Sequence, residues 1–168
     1  MSMQTSESAT HLPPLGGLVR EQVTLCLQQT LVELVDLGLL GKQLHWTVAG
    51  ELFRPLHAQL DELVESWRAL ADTVAERLVA VGGTPDAQAT TVASSSGWGP
   101  IEARPTEAPD AIRVVAHRLA EAAERLRHRA NRLGSLDLAS QDVAIQVLRE
   151  IEKQLWMIRV QFVDRLGE

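Results

Sequence analysis

Apolar side chains recur at three- and four-residue steps over four long stretches of the chain, and that period is helical. In the first stretch, Leu18 to about Val48, the stripe is Val23, Leu27, Leu31, Leu34, Val35 and Leu39. Other apolar residues lie off it, so this helix is expected to be covered on more than one side. Gly38 and Gly41 weaken it slightly and leave room for a neighbouring helix. The second stretch runs from Phe53 to about Val81, with Pro55 in a first turn that tolerates it. Gly82-Gly83, with Pro85 just beyond, predicts its stop. Residues 84–105 are a long connection rich in Thr, Ser, Gly and Pro, which predicts a short helix near Thr90–Ser95 anchored by Trp98. The third helix is expected over Glu107–Leu133 behind a Thr106 cap, and the fourth over Ser140–Arg165. The fourth carries the stripe Val143, Val147, Ile151, Leu155, Ile158 and Phe162. No segment reads as a strand. The pattern predicts an all-α four-helix bundle with one long crossover between the second and third helices.

A chain of 168 residues suits one domain with a full core. Residues 17–168 are read as that domain, behind a polar tail of residues 1–16 containing Pro13-Pro14 and an unassigned His11. No uninterrupted apolar run of membrane-spanning length stands out, and the start lacks a secretory pattern. Cys26 is the one cysteine, which excludes an internal disulfide and fits a reducing, cytoplasmic setting. The net charge is −6, and Lys42 and Lys153 are the only lysines. That balance argues against a nucleic-acid binder and suits an acidic protein that collects cations.

The chemistry concentrates between His45 and Glu76, where His57 and Asp61, and again Asp72 and Glu76, stand four residues apart. With His57 at zero on a helical wheel of about 100° per residue, Asp61 falls near 40°, Asp72 near 60° and Glu76 near 100°. All four therefore face one side. Imidazole and carboxylate together suit iron. Yet the midpoints of the two pairs, residues 59 and 74, are about 22 Å apart along a straight helix. A metal–ligand bond spans only about 2 Å. One chain cannot close such a site. An antiparallel second copy, related by a twofold axis near Ser66–Trp67, would set His57/Asp61 of one chain opposite Asp72/Glu76 of the other, twice. His45 would join from the end of the first helix.

At these residues the chain closely resembles the Dps family, the miniature ferritins named as DNA-binding proteins from starved cells. The resemblance rests on Lys42–Trp46 (KQLHW), Leu56–Glu62, Asp72–Arg77, Gly82–Gly83 and, near the C-terminus, Ile151–Met157, and it spans about residues 18–165. It implies a ferritin-like bundle, and the long crossover agrees. It implies a homododecamer built from twofold dimers, with ferroxidase sites at the twofold interfaces. There Fe(II) is oxidised, preferentially by hydrogen peroxide, and stored as a ferric mineral, which protects the cell against oxidative stress. His45, His57, Asp61, Asp72 and Glu76 match the five ferroxidase ligands. Asp72 and Glu76 of one subunit would hold iron with His45 of the other, and Glu76 would reach toward a weaker site near His57 and Asp61. Asp137 and Asp142 match the acidic iron entrance on the threefold axis; a carboxylate favoured by the helix start is the plainer reading of Asp142. Trp46 is read either as packing beside the site or as core.

One departure bears on DNA. The lysine-rich tail through which some family members bind it has no counterpart here, since no Lys or Arg precedes Arg20. DNA compaction, with a place beside the nucleoid, is therefore the weaker alternative. The third-helix arginines, Arg125, Arg127, Arg129 and Arg132, could form a patch, but Glu121 and Glu124 lie close enough to pair with some of them. A bacterioferritin-type site would need Glu-x-x-His motifs, and no histidine here has a Glu three residues before it.

Overall fold

The computed structural model describes residues 12–160. His11, most of the expected tail, Phe162 and the last turns of the expected fourth helix lie outside the described residues. Five helices are seen among those described: α1 (Gly17–Thr47), α2 (Phe53–Ala80), a short α3 (Ala89–Ser95), α4 (Ala108–Gly134) and α5 (Leu138–Val160). Two antiparallel hairpins, α1–α2 and α4–α5, pack into the bundle, with α3 lying on α1 within the crossover. The all-α bundle with an extra short helix is the expected architecture.

Each hairpin closes for a local reason. Gly50 adopts φ 92°, a left-handed conformation that a side chain resists, and its carbonyl accepts the Phe53 amide at 3.1 Å to start α2. Gly82, at φ 88°, ends α2. There the Arg20 guanidinium donates to Val81 O at 2.9 Å and to Leu15 O at 3.0 Å, which ties the chain before α1 to the end of α2.

The core fills around Trp67, which is 0% exposed. Its indole nitrogen donates to Gln154 Oε1 at 2.8 Å, and Gln154 Nε2 donates to Ser66 Oγ at 2.8 Å, so α5 holds the middle of α2. Gly41 of α1 faces the same ring. A Cβ there would come within 2.6 Å of Val64 Cγ2 and 2.7 Å of Trp67 Cζ3, whereas one at Gly38 would meet nothing within 4 Å. The close approach expected of both glycines belongs to Gly41 alone.

Several expectations are corrected. Residues Val48–Ala49 and Thr106–Glu107 form a two-residue parallel β-bridge, Val48 opposite Thr106, so strand pairing is not absent. A periodicity argument cannot detect a ladder this short. Thr106 is extended in that bridge and its hydroxyl donates to Arg104 O at 3.0 Å, while Glu107 occupies the α4 cap position without a side-chain capping bond. Leu39 is 57% exposed and Trp46 is 70% exposed, so neither belongs to the core of this chain. Helix α1 is, by length and composition, apolar enough to cross a membrane, so an apolar stretch of that length is present among the described residues. Its apolar residues are instead largely buried in the bundle, alongside a buried Glu33.

Glu33 also corrects the expected pairing of the α4 arginines. Arg129 pairs with it in a buried contact and Arg125 at 3.3 Å, while Arg127 pairs with Glu152. Burial pushes the Glu33 carboxyl above its ordinary range, against the downward pull of the two guanidiniums. Glu121 pairs with Arg118 at 3.5 Å, outside the basic run. The Arg118 and Arg125 guanidiniums lie 5.5 and 5.2 Å from the Trp98 ring, and Arg125 donates to Ser96 O at 2.8 Å. Trp98 is thus the expected anchor of the crossover.

Candidate metal centre

Helix α2 is unbroken from Phe53 to Ala80, so the wheel and the axial spacing apply to it directly. Its buried residues, among them Leu60, Leu63, Trp67 and Val74, occupy one side, and Asp72 and Glu76 are exposed on another. Asp61 stands at the margin of that open face, with a half-exposed side chain.

The imidazole half is already assembled within one chain. His45, at the end of α1, is 7% exposed, and its ring stacks on that of His57 with centroids 3.6 Å apart and planes 22° from parallel. His45 Nδ1 lies 2.9 Å from His57 O, and His57 Nδ1 lies 2.9 Å from His45 O. A carbonyl oxygen can only accept, so each Nδ1 carries the proton. In the neutral tautomer with that proton on Nδ1, Nε2 carries the lone pair that a metal-binding imidazole requires. The turn between α1 and α2 makes this reciprocal lock possible by bringing the end of one helix against the start of the other. His45 Nδ1 is also 3.4 Å from Asp61 Oδ1.

Lys42 donates to Asp61 Oδ1 at 2.6 Å. This bond, with smaller help from the nearby histidines, holds the Asp61 carboxyl below its ordinary range despite some desolvation. Nothing in the KQLHW motif itself gives Lys42 this role; its spacing of three from His45 is the one sequence signal for it. The same ammonium lies 5.8 Å from the Trp46 ring, beside the site.

The structure brings together His45, His57 and Asp61, and leaves Asp72 and Glu76 on the far part of α2. Among the described residues, no group of three or more His, Cys, Asp or Glu side chains in one chain is arranged to hold a metal ion.

Asp137 and Asp142 fall in different settings. Asp137 immediately precedes α5, where its Oδ2 accepts the Ser140 amide at 3.0 Å and the Arg77 guanidinium at 2.6 Å. Burial opposes its ionisation, but the bonds from Ser140 and Arg77 outweigh it and hold the carboxyl below the ordinary range. Asp142 is exposed in the second turn of the same helix.

Comparison with known proteins agrees with this architecture. A ferritin-like domain matches residues 25–165, so the chain belongs to the ferritin-like family. Within that class it is a member of the Dps branch. It is 31% identical over 151 residues to DNA protection during starvation protein 2 of Deinococcus radiodurans, covering 90% of this chain and 63% of that relative's length. Mycobacterium smegmatis Dps superposes with a TM-score of 0.86 at 29% identity, covering 90% of this chain and 93% of that one. Dps from Microbacterium arborescens in its high iron form gives 0.84 at 30% identity, covering 90% and 99%.

Proposed function

We propose that this protein is an iron-storing ferroxidase whose metal sites are shared between two copies of the chain. One observation carries the reading. His57 and Asp61, with the His45 ring locked against His57 through both Nδ1 atoms, stand about 22 Å along α2 from the exposed Asp72 and Glu76. An antiparallel second copy completes two such sites. Asp72 and Glu76 of one subunit and His45 of the other hold Fe(II), while His57 and Asp61 serve the neighbouring, weaker position that Glu76 reaches.

The roles follow from the donor chemistry. The carboxylates neutralise the charge of the ferric product, and the neutral imidazoles fix its position without adding charge. Two Fe(II) ions supply the two electrons that reduce one hydrogen peroxide to water, so the reaction consumes both reagents that would otherwise yield hydroxyl radicals. Ferric product is stored as mineral in a hollow homododecamer, giving protection under oxidative stress, and the single buried thiol fits a cytoplasmic place. Asp142 is the candidate for the iron entrance, with Asp137 fixing the start of the helix that carries it. The high iron form of the Microbacterium arborescens relative supports the iron assignment. DNA binding gains no support from α4, because Arg125, Arg127 and Arg129 are engaged within the chain.

Peroxide-driven and aerobic Fe(II) oxidation by the wild type and by Asp72→Ala/Glu76→Ala tests the assignment. The variant is expected to lose most of the rate while keeping its helical content. Equal rates in the two proteins would overturn it.

A further inference from the structure

Glu65 and Arg68 are both exposed on α2, and among the described residues neither enters an ion pair. On the wheel they fall at about 80° and 20°, inside the arc from His57 to Glu76 that also holds Asp61 and Asp72. They also stand at equal distances on either side of the midpoint between Ser66 and Trp67. We propose that Glu65 and Arg68 form two reciprocal ion pairs across the twofold axis of an α2–α2 dimer, fixing the register in which the metal half-sites meet. The occupant of this face is a second copy of the chain, and the inference rests on the shared-site reading above.

Symmetry and charge both favour this pairing. An axis that sets His57 opposite Glu76 and Asp61 opposite Asp72 also sets Glu65 of each chain level with Arg68 of the other. Both pairs lie within about 2 Å of the axis along the helix, where a crossing angle separates the helices least. The face is otherwise rich in acid, with Asp61, Asp72 and Glu76 on each chain. Without metal those carboxylates repel across the interface, and Arg68 supplies opposite charge at its centre. Moving the axis two residues toward the C-terminus would put Glu65 opposite Asp72 and Asp61 opposite Glu76. That slide sets acid against acid at every one of these positions.

The test is a charge-reversal cycle on metal-free, full-length protein, read by sedimentation over a dilution series at low salt. Glu65→Arg and Arg68→Glu each place like charges together twice, and each is expected to weaken self-association roughly tenfold to a hundredfold. The double variant E65R/R68E is expected to restore it to within about threefold. Circular dichroism should be unchanged throughout, since both side chains are exposed. Singles that associate like the wild type, or a double variant no better than the singles, would overturn the ion pairs. If the ion pairs fail in a protein that still associates and still loses Fe(II) oxidation in Asp72→Ala/Glu76→Ala, the shared-site reading survives. A wild type that does not self-associate removes both.

Discussion

At the scale of single residues, the least legible feature is the one that prepares the site. Spacing placed His45 and His57 near each other, but not the exchange of Nδ1–H bonds with each other's carbonyls, because backbone oxygens leave no mark in a sequence. The Lys42–Asp61 bond is similar: a lysine 19 residues before an aspartate in sequence reaches it only after α1 folds back on α2. This bond has a titration signature. Asp61 gains a cationic partner on folding, so its folded pKa is lowered and the linked stability is present above the ordinary carboxylate range, about 3.9 for Asp. That stability is lost as pH falls through the depressed value. In metal-free protein the Asp61 carboxyl is expected to titrate below the ordinary range by carbon-detected NMR. Lys42→Met should move it upward, and an unmoved titration would show that Lys42 does not set it.

At the scale of elements, the helices were readable because each buries a continuous stripe, and α1, α2 and α4 start and stop within one residue of the expected bounds. The errors fall where local pattern yields to tertiary pairing, as at Thr106, which reads as a cap and is drawn into the bridge with Val48. The start of α5 lies two residues before Ser140 because Asp137 caps it and Arg77 of α2 fixes that cap. Asp137→Ala should cost about 1–2 kcal/mol in chemical denaturation at neutral pH. Because the folded pKa of Asp137 is depressed, the difference from wild type should shrink as pH falls through that value. Gly41 gives a second check, since two effects oppose. Alanine gains up to about 1 kcal/mol of helix propensity, while overpacking costs about 1–3 kcal/mol. Trp67 is fully buried and tethered by Gln154, so the ring cannot retreat and the clash wins. Gly41→Ala is expected to lower stability by about 1–2 kcal/mol, and Gly38→Ala, with open space around its Cβ, to raise it by up to about 1 kcal/mol. Thermal melts of the pair would decide it.

At the scale of the whole molecule, the unit of function proposed here is the dimer, and sharing a site between chains makes a prediction that a self-contained site does not. Take one variant lacking the imidazole half, His45→Ala/His57→Ala/Asp61→Ala, and another lacking the carboxylate half, Asp72→Ala/Glu76→Ala. In the proposed arrangement every site of either homodimer is incomplete. A mixed dimer differs: one site combines both defects, and the other combines the intact carboxylates of the first variant with the intact imidazole half of the second. Each variant alone should therefore oxidise Fe(II) slowly. A sample dissociated, mixed in equal amounts and reassembled should recover about a quarter of the wild-type rate, because random pairing makes half the dimers mixed and each mixed dimer has one sound site. A site closed within each chain predicts no recovery at all. The outcome depends on chain exchange, so the mixture must be compared with the same two samples dissociated and reassembled separately. Recovery confined to the co-assembled sample would place the ligands on two chains, and its absence after verified exchange would return the metal site to one.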